Sequence, residues 1–413
     1  MFRPSLLTLV RRVNSYAGRY SVNNNQPRPE SYREDYNTAT NKSYYAASGI
    51  IYPETARLNE SEVGAVYANL ATGAESGWDY GTRFLSRPND ALNDVYFPLR
   101  YLKVRDLIPV DLNAILYQNE VTIASFLELQ GNKTGAKAWL DLAEARSQAI
   151  HAVLWNETLF SYFDYNLTSS SHFAFVPLDA DATPAERAAA PGNSQVLFHI
   201  AQLYPFWTGA ARPELKNNPL AVRRAYSRVA SMLEEKAGGI PATNFKTGQQ
   251  WDEPNVWPCL QHVLMEGLRR TPPTYGTSDP SYVAVQDLAL RLAQRYLDST
   301  FCTWYATGGS TSATPKLAGL GSQAVGIMFE KYGDNATNVA GSGGEYEVVE
   351  GFGWTNGVLI WAVDTFGNKL RRPNCGDIKP AHVGKRANME RRAVELDRWD
   401  AGWVKRFGKR ALD

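Results

Sequence analysis

The most chemically suggestive stretch of the sequence is Ala74 to Phe84, AESGWDYGTRF. Asp79 follows directly on Trp78 and Gly77, and Arg83 stands four positions later. A carboxyl group desolvated by an indole ring holds its proton to higher pH, as a general acid must. Gly77 would let the backbone approach a ligand closely. The same spacing also fits a plainer reading, in which Asp79 caps a helix and Arg83 pairs with it. A nearby guanidinium would then lower the carboxyl pKa and work against acid catalysis.

Three further segments carry acids among aromatic or glycine residues. Gly248–Trp257, GQQWDEPNVW, sets Trp251, Asp252 and Glu253 around Pro254. Glu330 closes an apolar stretch and is followed by Lys331 and Tyr332. Gly341–Trp354 holds Glu345, Glu347 and Glu350 in a glycine-rich run. Such a loop lacks the lysine of a phosphate cradle and suits acceptance of hydrogen bonds from sugar hydroxyls. Near the start, RPESYRED at 28–35 reads either as a clamp for hydroxyls, through Arg28 and Glu30, or as a salt-bridged surface turn.

These loops need a frame, and the frame reads as helical. Apolar residues recur at helical intervals over about 54–72, 107–130 and 136–154. The same period returns at about 195–206, 219–236, 256–269, 282–299, 320–332 and 354–366. Residues 160–167 suggest a short aromatic hairpin, and 168–192 a Ser-, Ala- and Pro-rich connection. No stretch sustains the alternation of a half-buried strand. Long helices in pairs, joined by loops rich in Gly, Trp and acids, predict an all-α toroid with its site at one end.

Composition bounds the function. The chain has 413 residues, 44% hydrophobic and 21% charged, as a soluble globular protein does. A net charge of +1 gives no ground for a nucleic-acid partner. From Lys369 onward 13 basic and 6 acidic residues give +7, leaving −6 for residues 1–368. That basic tail reads first as a solvated extension and second as a membrane-surface or partner contact. Three cysteines make a disulfide framework unexpected, though one bridge is allowed. The five histidines form no metal-binding pattern, so no catalytic metal is expected. Six sequons lean toward the secretory pathway, yet MFRPSLLTLVRR is too short in its apolar part for a signal peptide.

Taken together these segments resemble the trehalases, inverting glycoside hydrolases that split α,α-trehalose into two glucoses, and the animal enzymes above all. The resemblance runs from about Tyr16 to Phe366. It is carried by PRPESYRED, AESGWD, PVDLNAILYQNE (109–120), FEKY (329–332) and GGEYEVVEGFGWTNGV (343–358). The family signature Gln-Trp-Asp-x-Pro-x-small-Trp matches from Gln250 through Pro258 and departs at Cys259, where the family usually has Pro.

The resemblance implies an (α/α)6 barrel and makes Asp79 the general acid and Glu330 the general base. It assigns substrate contacts to Arg28, Glu30, Gly77 and Glu345, and pocket-shaping roles to Trp251 and Asp252. Trehalose and water would be the only partners in the reaction, with no cofactor. The family's placement is extracellular or membrane-associated.

A second family signature, Pro-Gly-Gly-Arg-Phe-x-Glu-x-Tyr-x-Trp-Asp, has no counterpart here. The expectation is therefore a trehalase-like barrel over 16–367, incomplete at its N-terminal side, after an irregular segment 1–15 and before a basic tail 368–413. The competing expectation is a catalytically deficient relative that binds sugar or a partner at most.

Overall fold

The computed structural model describes residues 16–40, 58–88, 97–179, 182–343 and 348–380. Segment 1–15, most of the basic tail and Glu345 fall outside them. Helices dominate: α1 (Tyr32–Thr40), α2 (Glu60–Ser76), α3 (Val110–Leu129), α4 (Lys133–Leu154), α5 (Pro219–Ala225), α6 (Ser227–Glu235), α7 (Pro258–Arg269), α8 (Pro280–Ala306) and α9 (Gly353–Phe366). Shorter helical turns lie between them, among them Tyr204–Thr208.

The boundaries follow local chemistry. Asn59 caps α2 by accepting from the Glu62 amide, and Glu62 returns a bond to the Asn59 amide. Reciprocal capping of this kind satisfies two donors that a helix start leaves without partners. Asn132 opens α4 by accepting from the Gly135 amide, directly after the turn at Gly131. That tight turn folds α3 back against α4. Asp279 opens α8 by accepting from the amides of Ser281 and Tyr282, and α8 packs along α7. One continuous core fills the space between the hairpins, with Leu70, Val110, Ile150, Leu203, Leu264 and Leu292 all nearly inaccessible.

Three expectations need correction. Residues 320–332 are not a helix but turns ending in a two-residue strand, Tyr332–Gly333. Glycines break the apolar period there: Gly319 and Gly326 take left-handed φ values of 88° and 83°. Gly326 also lies so close to the Trp304 indole that a Cβ would sit 2.6 Å from it. Residues 195–206 begin as a strand, Ser194–Val196, because Leu197 hydrogen-bonds to Ala174 across a hairpin. RPESYRED is neither a loop nor a surface turn. Pro29 starts a short helical turn that runs into α1, and Arg28 is buried against Asp35.

The strands are brief. The aromatic segment 160–167 is split between two sheets: Ser161–Tyr162 pairs with Trp155–Asn156, and Tyr165–Asn166 lies between Leu107–Ile108 and Ser171–His172. Asn255–Val256 pairs antiparallel with Tyr332–Gly333, Asn255 opposite Gly333 and Val256 opposite Tyr332. This short ladder draws the Trp251 loop and the Glu330 loop together.

One disulfide joins Cys302 on α8 to Cys375 beyond α9, at a sequence separation of 73, and Cys259 is free. A loop of that length constrains the unfolded chain strongly. Cys375→Ser should lower the unfolding free energy by about 2–4 kcal/mol, measured by chemical denaturation of the oxidised protein.

Candidate active site

Asp79 lies just past the end of α2. Gly77 terminates that helix at φ 71°, in the left-handed region, with its amide bonded to Ala74. No atom would lie within 4 Å of a Cβ at this position. Gly77 is therefore required by the helix end rather than by close packing. Asp79 itself has φ 39°, so the turn continues through two residues and carries the carboxyl away from the helix axis.

The plainer reading of this stretch fails on both counts. Asp79 caps no helix, and Arg83 pairs elsewhere. Arg83 Nε donates to Asp164 Oδ2 at 2.5 Å, and its Nη2 donates to Asp164 Oδ1 at 2.9 Å and to Asp111 Oδ1 at 2.5 Å. All three side chains are buried. Asp164 also accepts from the Val110 amide at the start of α3. Burial works to raise the Asp164 carboxyl, but the charge and hydrogen bonds of Arg83 outweigh it and hold the group below its ordinary value. His199, fully buried beside Asp164, is pulled down to about 3 by burial and stays neutral. The cluster consumes the Arg83 charge and pins the Asp79 loop to α3.

With that cation spent, Asp79 behaves as the desolvation argument requires. Burial raises its carboxyl above the ordinary value, against opposing pulls from the hydrogen bond of Trp251, the charge of Arg28, the hydrogen bond of Gln250 and the charge of Lys331. Both hydrogen bonds reach one oxygen. Trp251 Nε1 donates to Oδ2 at 3.1 Å, and Gln250 Nε2 donates to the same atom at 3.2 Å. Neither donor reaches Oδ1.

Glu330 is buried at 2% exposure on the loop that carries Lys331. Its backbone is fixed from three sides. The Glu330 amide donates to Val349 O at 2.8 Å, Trp354 Nε1 donates to Glu330 O at 2.8 Å, and the next strand follows at Tyr332. Lys331, fully buried, donates from Nζ to Gln250 Oε1 at 3.3 Å and to Gly343 O at 3.1 Å. Burial brings the Lys331 ammonium down to about 8, while the charges of Glu330 and Asp79 work to raise it. The two candidate acids therefore share one lysine.

A run of indoles spans the distance between them. Trp78 lies 5.2 Å from Trp251, Trp251 stacks on Trp257 at 4.0 Å and 5°, and Trp257 meets Trp354 edge-on at 5.5 Å. Two N–H groups of this set reach the two acid segments, Trp251 to the Asp79 carboxylate and Trp354 to the Glu330 carbonyl. Trp257 Nε1 donates to Gln250 O at 2.8 Å. Flat rings of this kind give rigid apolar walls with a polar edge.

Asp252 is a buttress rather than a wall of the site. It is completely buried and accepts from the Thr82 amide at 2.7 Å, from Thr243 Oγ1 at 2.7 Å and from Thr247 Oγ1. These bonds tie the Asp79 loop to the Trp251 loop. Arg28 is committed to Asp35 by two hydrogen bonds of 2.9 and 2.8 Å, yet its charge still reaches Asp79. Glu30 is exposed. The residues that sequence reasoning passed over are Gln250, Lys331 and the Arg83–Asp111–Asp164 cluster. Gln250 and Lys331 stand inside QWDEP and FEKY and were legible as neighbours; the cluster joins residues up to 81 positions apart and left no local signal.

Comparison with known proteins gives the family. The family model described as trehalase matches residues 6–367. A trehalase of Dictyostelium discoideum is 31% identical over 357 residues, covering 86% of this chain and 49% of the relative. A periplasmic trehalase of Salmonella schwarzengrund is 31% identical over 352 residues, covering 85% and 47%. The neutral trehalase of Saccharomyces cerevisiae superposes with a TM-score of 0.50 at 18% identity, covering 86% of this chain and 53% of that one. The fold is the (α/α)6 toroid. This chain belongs to the trehalase family. It spans about half the length of the curated relatives it matches.

Asp252 yields a pH test. Burial pushes its carboxyl up to about 6, against the hydrogen bonds from Thr247, Thr243 and Thr82. A folded-state value raised above the unfolded one contributes stability that is full below about pH 4 and lost as pH rises through about 6. Lowering the pH from 7 to 4 should therefore stabilise the protein relative to Asp252→Asn, which carries no charge at either pH. Denaturation midpoints of the two proteins at both pH values would show it, and an unchanged difference would refute it.

Proposed function

We propose that this protein hydrolyses α,α-trehalose to two glucose molecules with inversion, Asp79 serving as general acid and Glu330 as general base. The observation that carries this reading is Lys331, which bonds to the Gln250 side chain that donates to Asp79 and follows Glu330 directly in the chain. Asp79 is raised by burial and has one oxygen saturated by N–H donors. Glu330 is buried and precedes Lys331 directly in the chain.

Trehalose joins two anomeric carbons through one oxygen. Protonated Asp79 delivers its Oδ1 proton to that bridging oxygen as the bond breaks. Ionised Glu330 removes a proton from a water that attacks the anomeric carbon on the opposite face. Inverting pairs leave roughly 6.5–9.5 Å between carboxyls for that water. The product sugar inherits the opposite anomeric configuration, and the two acids exchange protonation states before the next turnover. The buried indole run backs the site with a rigid apolar wall.

The Cys302–Cys375 bridge and the periplasmic relative support placement in an oxidising compartment, and from there an extracellular or membrane-associated setting.

Purified protein given trehalose should release glucose, with the first-formed anomer seen by proton NMR being β on the attacked side. Asp79→Asn and Glu330→Gln should each lower kcat by about a thousandfold, in keeping with loss of one general acid or base. Equal glucose release by the protein and both variants would remove the catalytic assignment and leave a sugar- or partner-binding relative of the enzymes.

A further inference from the structure

Gln250 has an amide whose two ends are almost the same shape but opposite in hydrogen bonding. One end must face Lys331 and the other Asp79, since the side chain bonds to both, at 3.3 and 3.2 Å. The Lys331 ammonium is a donor only. Its presence requires the oxygen end of Gln250 on its side and turns the N–H end toward Asp79. Among the described residues nothing else bonded to Gln250 makes that choice: its backbone carbonyl is taken by Trp257 Nε1, and that bond says nothing of the side-chain amide.

The direction matters for the chemistry. With Nε2 facing Asp79, both donors fall on Oδ2 and the acid proton is confined to Oδ1. With the amide reversed, Gln250 Oε1 would face Asp79. The protonated carboxyl would then donate to the glutamine, and the proton would be held by the protein instead of being offered to the glycosidic oxygen.

We propose that Lys331 is the positioning residue of this site, fixing the Gln250 amide so that Asp79 presents its proton to the substrate from Oδ1. The role rests on the hydrolytic reading above, and Lys331 touches no reacting atom. It is built in rigidly. Lys331 is inaccessible, its ammonium lies 5.1 Å from the Trp257 ring centre, and its third direction is taken by Gly343 O. A Cβ on Gly341 would come within 2.6 Å of Lys331 Cγ, so the neighbouring glycine leaves the lysine stem its room. Glu330 and Lys331 are consecutive, and the strand pairing of Tyr332 with Val256 sets the pair against the Gln250 loop. One short ladder thus aligns the base and the device that orients the acid.

The test compares Lys331→Met, Gln250→Met and the double variant. Methionine is unbranched and of similar length, so each should fold, checked by thermal melting. The first readout is the titration of Asp79 itself, followed by the 13C signal of its carboxyl and assigned by its loss in Asp79→Asn. In Lys331→Met the midpoint should rise by about one pH unit, because a cation and a correctly turned donor are both lost. The second is turnover of trehalose. Each single variant should lose kcat by about 30-fold with KM changed far less, and the double variant should be no slower than the slower single, as groups acting in series are not additive.

An Asp79 midpoint that stays put in Lys331→Met overturns the proposal, as do losses that multiply in the double variant. If the unaltered protein releases no glucose, the hydrolytic reading fails by itself, and the Asp79 midpoint alone decides whether Lys331 governs that carboxyl.

Discussion

Everything at this site depends on one buried cation being neutralised by carboxylates of its own. Arg83 sits four residues from Asp79 and would depress its carboxyl if it were free. Instead it is enclosed by Asp111 and Asp164, with the face of its guanidinium 5.0 Å from the Trp78 ring centre. Burying three charges is costly, and such a cluster holds only when hydrogen bonds satisfy it. Here the Val110 amide adds to the Arg83 contacts at Asp164, and neutral His199 keeps a competing positive charge away. The cost of that arrangement is returned as geometry: the loop after α2 is tied to the start of α3.

A second layer of buried acids acts in the same sense on the other side. Asp252 fastens the Thr82 backbone to Thr243 and Thr247. Lys236 joins Glu253 to Asp334, so the loop after Trp251 is fixed to the loop after Glu330. These residues hold four loops, drawn from distant parts of the chain, at fixed separations while the helical hairpins below supply the rigid base. Positioning of this kind is a large part of what an active site contributes to a rate.

The helices were legible because their apolar residues repeat and their ends are marked by Asn59, Asn132 and Asp279. The stretch 320–332 was not, since its apolar residues imitate a helical period while Gly319 and Gly326 take backbone angles no helix permits. RPESYRED hid a helix start behind a charge pattern that looked like a surface turn; Arg28 pairs with Asp35, seven residues on. The acids and tryptophans of the site could be named from their motifs. The partition of their work could not. Asp252 and Trp251 are adjacent in sequence, yet one is a buried strut and the other a donor to Asp79, because neighbouring residues in a tight loop point to opposite sides.

The left-handed backbone of Asp79 restricts which amino acids this position can hold. Aspartate and asparagine tolerate φ 39° because their short polar side chains relieve the crowding, whereas longer and branched residues meet it in full. A glutamate would bring the same functional group and a similar acidity, but it would also strain the turn and overshoot the place where Trp251 and Gln250 converge. The choice between the two acidic amino acids is thus made by the peptide chain, before any question of proton transfer arises.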